Sequence, residues 1–248
     1  MSSHYIGTSG WSYDHWTGSF YPEQLPAEER LRHYAGRLHS TEINYSFYQL
    51  PAAATLRNWR AVVPEGFVFA AKASRYITHM KKLKDPEAGL SQFLPRMDLL
   101  EDRLGPILFQ LPPRWRCNID RLKAFLATLD RAHRYAFEFR DQSWINVQVL
   151  DLLAAYKAAF CIYELDGFES PQAITADFVY LRLHGPYGAY RGDYDRQTLG
   201  RWADRMAGWL DQGCDVYGYF DNDEAGYAAG NALTLCGLLD KRRAAGAW

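Results

Sequence analysis

Tyr135-Ala-Phe-Glu-Phe-Arg-Asp-Gln-Ser-Trp144 reads as a β-strand with two opposed faces. Successive side chains of a strand point to opposite sides, so Phe137 and Phe139 share one face while Ala136, Glu138 and Arg140 share the other. On a surface strand the charged face would simply look into water. Read as a central strand, it must look into something enclosed, and that choice decides the fold.

Outward from this stretch, seven further strands are predicted, at residues 4–10, 41–47, 66–73, 105–113, 159–165, 177–185 and 214–221. Helical spacing marks residues 25–38, 52–62, 86–103, 120–132, 147–157, 196–212 and 225–243. Pro86 suits a first helical turn, Pro112 and Pro113 stop the fourth strand, and Gly213 stands where helices end. The connection after the sixth strand is the weakest, with only a short turn around residues 171–175. Strand-helix alternation without hairpins implies a parallel sheet. Eight such units in 248 residues match the size of an α/β (β/α)8 TIM barrel, and residues 1–248 are expected to form a single domain. A doubly wound open sheet is the alternative.

Charge is nearly balanced, 28 basic against 29 acidic residues, which argues against a sequence-independent nucleic-acid binder. No stretch approaches the length of a membrane span, and the N-terminus has no signal-peptide pattern, so a cytoplasmic protein is expected. Cys117, Cys161, Cys214 and Cys236 lack metal-site spacing and are expected as reduced thiols, with Cys161 and Cys214 inside strands. Aromatic residues make up 15% of the chain, a high share that needs an explanation.

In a barrel, alternate strand residues point into the lumen. The expected inward faces carry Glu42, Asn44 and Ser46; Lys72; Gln110; Glu138 and Arg140; Glu164; Arg182 and His184; and Tyr217, Tyr219 and Asp221. Most stand late in their strands, at the C-terminal mouth where TIM barrels carry their active sites. Charges buried there need partners, so the cluster is either an ion-pair network or a ligand site. The aromatic excess falls in the same loops, with Trp11, Tyr13, Trp16, Trp115, Trp144, Tyr187, Tyr190 and Tyr194 all following strands. These rings either stack on a ligand or form a satellite core. The glycine-rich loop from His184 to Tyr194 stands where barrels often bind phosphate, although such loops are commonly only turns.

Seven motifs in order resemble one family: Gly7-Thr-Ser-Gly-Trp-Ser-Tyr, Thr41-Glu-Ile-Asn-Tyr-Ser-Phe-Tyr, Phe69-Ala-Ala-Lys-Ala-Ser-Arg-Tyr-Ile-Thr-His79, Leu108-Phe-Gln-Leu-Pro-Pro, Glu138-Phe-Arg-Asp-Gln-Ser-Trp144, Tyr180-Leu-Arg-Leu-His-Gly185 and Tyr219-Phe-Asp-Asn-Asp223. Over almost its whole length the chain is similar to the bacterial and archaeal YecE-like family, domain of unknown function 72. The resemblance implies a TIM barrel and no settled activity. One departure is Asp221, where the family pattern has Asn.

The leading functional expectation is an enzyme acting on a small polar, anionic molecule such as a phosphorylated sugar or nucleotide. Glu42, Lys72, Glu138 and His184 are the catalytic candidates. Trp11, Asn44, Arg75, Gln110, Arg140, Trp144, Arg182, Tyr219, Asp221 and Asn222 are the candidates for substrate binding. Arg140, Arg182 and Lys72 would hold the anion, Glu138 or Glu42 would be the base, and His184 an acid or base near neutral pH. Lys72 could also form a Schiff base, and two of the carboxylates could serve a glycosidase. No cofactor is predicted. A divalent metal held by Glu42, Glu138, His184 and Asp221 is a second reading, and a non-catalytic module binding nucleic acid or a protein partner is the third.

Overall fold

The structure, a computed structural model, describes residues 2–245. The parallel strands are β1 (His4–Ser9), β2 (Ser40–Ile43), β3 (Val68–Lys72), β4 (Leu104–Gln110), β5 (Tyr135–Glu138), β6 (Ala159–Leu165), β7 (Phe178–Leu183) and β8 (Asp215–Phe220). Each pairs with its successor, and β8 pairs back to β1, so the sheet closes on itself. Closure makes this the (β/α)8 barrel and removes the open-sheet alternative. Helices α1 (Arg30–Ala35), α2 (Ala53–Val62), α3 (Pro86–Met97), α4 (Ile119–Leu126), α5 (Val147–Ala155), α6 (Arg196–Asp211) and α7 (Tyr227–Ala245) join successive strands, with α7 following β8. Between β6 and β7 a two-residue strand, Phe168–Glu169, turns back antiparallel on β6 in place of a helix. None of the described helices is long and apolar enough to cross a membrane.

Local chemistry explains where the helices start and stop. Asn118, Asn146 and Asp195 accept hydrogen bonds from the backbone N–H groups of Arg121, Val149 and Thr198, capping α4, α5 and α6. After α6, Gly213 turns left-handed at φ 88°, and Cys214 N–H donates back to Trp209 O, a glycine-terminated cap. Several helices are shorter than expected: α1 occupies only part of residues 25–38, and α4 ends before residue 132. The second strand is also shorter. It stops at Ile43, and Tyr45–Tyr48 forms a helical turn that buries Ser46, whose hydroxyl donates to Ile43 O and Lys72 O. Cys214 precedes β8 rather than lying in it, and all four cysteines are unpaired.

The lumen is filled by complementary sizes. Ala70, Ala136, Ala159 and Cys161, with Leu108 among them on β4, pack in one lumen cluster with Tyr180 and Tyr219, small residues making room for large ones. Gly7 is required where β1 meets β2, because a Cβ there would stand 1.8 Å from Ser40 O. Outside the strands, Trp16, Trp144 and Trp202 are fully buried against helices and loops.

Candidate active site at the barrel mouth

The last inward residue of nearly every strand contributes to one interlocked set of charges. Arg182, on β7, is fully buried at its centre. Its Nη1 donates to Glu138 Oε2 at 2.8 Å, and its Nη2 donates to Glu42 Oε1 at 2.7 Å, Ser9 Oγ at 3.0 Å and Asp221 Oδ2 at 3.1 Å. Glu42 takes further hydrogen bonds from Tyr180, at 2.7 Å to Oε2, and from the hydroxyl of Ser9. Both of its oxygens are thus occupied. Asn44 Nδ2 donates to Ser9 Oγ at 2.5 Å. A second guanidinium, Arg140, meets Glu138 Oε1 through Nε and lies over the ring of Tyr163. Fixed donors on a fully buried carboxylate keep its charge paired, which burial otherwise penalises.

The geometry also fixes the tautomer of His184. Its Nδ1 lies 3.0 Å from Asp221 Oδ2, which can only accept, so Nδ1 carries the hydrogen. Its Nε2 lies 3.0 Å from Arg140 Nη2, which can only donate, so Nε2 offers its lone pair. Glu138 Oε1 stands 3.7 Å from the same nitrogen. Burial alone would raise Glu138, yet the guanidiniums of Arg140 and Arg182 outweigh it and hold the carboxyl well below its usual range. Asp221 follows the same logic. Burial pushes it up, and Arg182 and His184 bring it below the ordinary value.

Two cations at the mouth remain outside this lattice. Lys72 projects from the end of β3 with Nζ 4.6 Å from the Phe47 ring centroid. Among the described residues no carboxylate stands within ion-pair distance of Lys72 or of the exposed Arg75. Burial lowers the Lys72 ammonium below its ordinary value, and Arg182 lowers it further despite the nearby carboxylates. His79, edge-on to Phe47, records the same positive field. Burial first, then Lys72, Arg75 and Arg140, depress its imidazole to about 4.

The opposite side of the mouth is acidic. A cavity of about 400 Å³ is lined there by Tyr13, Tyr190, Arg191, Asp221, Asp223 and Glu224, among others. Asp223 accepts from Trp16 Nε1 at 2.5 Å and pairs with His15 at 3.1 Å. Tyr190 meets the His184 ring edge-on.

The barrel brings Glu42, Asn44, Lys72, Glu138, Arg140, Arg182, His184 and Asp221 together, with Arg75 at the rim. Gln110 faces the lumen beside Glu138, its amide donating to Leu111 O. Other expected residues belong elsewhere. Trp144 is fully buried with Nε1 donating to Trp115 O, and Trp11 packs edge-on against Trp59, so both are core rather than ligand platforms. Tyr219 lies a layer below the mouth, bonded to Ser40 Oγ. Asn222 braces the loop after β7 by donating to Gly192 O and Asn231 Oδ1. Glu164 points outward and receives Trp202 Nε1, because β6 turns Cys161 and Tyr163, not Phe160 and Ile162, to the lumen. Many N–H groups of the glycine-rich loop are already used. Gly185 donates to Tyr194, Gly192 to Glu224, and Tyr190 and Arg191 to loop carbonyls, as in an ordinary turn.

Ser9, Tyr163 and His79 are the residues that sequence reasoning missed. Ser9 ends β1, whose alternation places it on the Glu42 side in register with that residue. Tyr163 was hidden because β6 is apolar on both faces. His79 stands in the motif Lys72-Ala-Ser-Arg-Tyr-Ile-Thr-His79, but on a helical turn rather than a strand. Among the described residues no group of three or more His, Cys, Asp and Glu side chains is arranged to hold a metal ion.

A closed parallel barrel with its charged side chains gathered at the C-terminal mouth defines a (β/α)8 protein of the TIM-barrel class. Within that class, the sequence profile described as "Protein of unknown function DUF72" matches residues 5–247, and the chain belongs to this family. It is 26% identical to the UPF0759 protein YunF of Bacillus subtilis (strain 168), over 95% of this chain and 94% of that protein. Identity to the UPF0759 protein YecE of Escherichia coli (strain K12) is 30%, over 55% of this chain and 48% of that one. The crystal structure of a DUF72 family protein from Thermotoga maritima superposes with a TM-score of 0.87 at 25% identity, covering 96% of this chain and 99% of that one.

Proposed function

We propose that this barrel is an enzyme acting on a small anionic molecule by acid–base chemistry at its mouth. One observation carries the reading: among the described residues neither Lys72 nor Arg75 meets a carboxylate within ion-pair distance, and both, with Arg140, lie near enough to His79 for their charge to depress its imidazole. Buried or half-buried cations are costly without counter-charge, so a site that gathers them invites an anion. The planar guanidinium of Arg140 suits a phosphate or carboxylate, and Lys72 supplies a point charge. His184 is oriented by Asp221 through Nδ1 and accepts at Nε2 from Arg140, so an anion that draws Arg140 away would free Nε2 as a proton acceptor beside Glu138. Glu42 and Arg182 hold this set in place.

A thermal-shift screen against sugar phosphates, nucleotides and inorganic phosphate tests the reading. A ligand at about 100 times its dissociation constant adds roughly 2.7 kcal/mol, on the order of 5–10 °C for a chain of this size. A hit that Arg140→Gln abolishes supports the anion site. A hit that survives both Arg140→Gln and Lys72→Met overturns it.

One further observation favours a second reading, a binding module for a macromolecule. Tyr48 and Tyr187 stand 73% and 76% exposed on loops that follow β2 and β7. Silence across the screen, with tight binding to a macromolecular partner lost on Tyr48→Ala, would favour it.

A further inference from the structure

We infer that Lys72 is a nucleophilic amine that captures the carbonyl carbon of an anionic aldehyde or ketone as an imine. The inference rests on the anion-binding reading and names the substrate class for it. Its basis is an allocation of partners. Among the described residues, every carboxylate at the mouth meets a partner other than Lys72: Glu42 meets Arg182, Ser9 and Tyr180, Glu138 meets Arg182 and Arg140, Asp221 meets Arg182 and His184, Asp223 meets Trp16 and His15, and Glu224 accepts from Gly192 N–H. Lys72 receives none, and its Nζ rests instead over Phe47. Among the described residues no carboxylate is in ion-pair contact with this ammonium, and its burial, with the Arg182 guanidinium, outweighs the more distant pull of Glu42, Glu138 and Asp221. Those are the conditions that free a lysine lone pair near neutral pH. The other lysines lie elsewhere. Lys82, Lys84, Lys123, Lys157 and Lys241 are exposed, and Lys81 pairs with Asp85 on the surface.

The chemistry balances without a cofactor. The Nζ lone pair attacks the carbonyl carbon, a C–N bond forms, and the C=O π pair moves to oxygen, which takes a proton. The nitrogen loses a proton to give the carbinolamine, whose hydroxyl then leaves as water with a proton taken up from solvent while the nitrogen pair closes C=N, and the resulting iminium returns its N–H proton to solvent. Net, one amine and one carbonyl give one imine and one water. Arg140 and Arg75 hold the substrate's anionic group.

The test is reductive trapping on the full-length protein. Pyruvate, glyoxylate and dihydroxyacetone phosphate serve as carbonyl probes, with cyanoborohydride at neutral pH and peptide mass spectrometry as the readout. A free amine, not an ammonium, attacks the carbonyl, so Lys72 should be modified several-fold faster than Lys82 or Lys84 in the same molecule. Inorganic phosphate should slow labelling of Lys72 and leave the surface lysines unchanged. Because those lysines are internal controls in the wild-type chain, the comparison does not depend on whether a variant folds. Labelling spread over the lysines according to exposure overturns the inference. If phosphate still binds with dependence on Arg140, only the nucleophile fails; if phosphate does not bind either, the anion site fails with it.

Discussion

Arg182 Nη1 meets Glu138 Oε2 at 2.8 Å, with both side chains entirely withdrawn from solvent. This pair joins the strand that carries the charged face, β5, to β7 across the intervening β6. The same guanidinium reaches Glu42 and Asp221, so one cation serves three carboxylates. Removing it leaves buried negative charge without compensation. Arg182→Gln should therefore destabilise the fold by about 3–5 kcal/mol, read from urea unfolding. A loss under 1 kcal/mol would mean that the carboxylates stay solvated or protonated.

Lys72 should behave in the opposite way. It is partly enclosed and, among the described residues, meets no carboxylate within ion-pair distance, so Lys72→Met removes a charge without breaking an ion pair and nearly keeps the volume. Its stability should match or exceed the wild type, while anion binding is lost. Stability held in reserve at a functional site is the expected pattern when a residue serves a ligand rather than the fold.

Acid should weaken the protein in a defined way. Glu138 and Asp221 are held below their unfolded values, so the unfolded chain takes up protons first as pH falls. Their contribution is fully present above the ordinary carboxylate range and drains away below it, towards the depressed folded values. Calorimetry from pH 5 to pH 2 should show this steep limb, and Glu138→Gln should flatten it. An unchanged limb in that variant would assign the acid sensitivity to other groups.

Trp144 separates core from ligand platform. It stacks on Phe139 and donates to Trp115 O with no surface exposed. Trp144→Ala should cost about 3–5 kcal/mol of stability. The fraction that remains folded should bind anions as tightly as the wild type does, and weaker binding per folded molecule would return Trp144 to the site.

The barrel was legible in the sequence because eight strand periods are separated by helical ones everywhere but after the sixth, and the inward polar residues fall late in their strands. Period 2 also placed Lys72, Glu138, Arg140, Arg182 and His184 correctly, since each stands opposite an apolar face. It failed at Glu164, because a strand buried on both sides has no polar face from which to count. Beyond Ile43 the same counting ran through a backbone that had already turned helical, although Asn44 still reaches Ser9. Trp11 and Trp144 lie beyond what residue type can decide, since a tryptophan after a strand fits a ligand shelf and a satellite core equally well. No pattern in the chain could show that Arg182 takes Glu42, Glu138 and Asp221 while Lys72, among the described residues, meets no carboxylate. That is a property of lumen geometry.

His79 offers the most direct test of the cationic mouth. Its imidazole is held down to about 4 by burial and by Lys72, Arg75 and Arg140. Following its ring protons by NMR through a pH titration, first in the free protein and then with saturating phosphate, reads the local field at the proposed binding point. The anion-binding mouth predicts a depressed value in the free protein that climbs when phosphate neutralises the cations, and climbs likewise in Lys72→Met. An ordinary histidine value in the free protein, unmoved by phosphate and by the substitution, would contradict it.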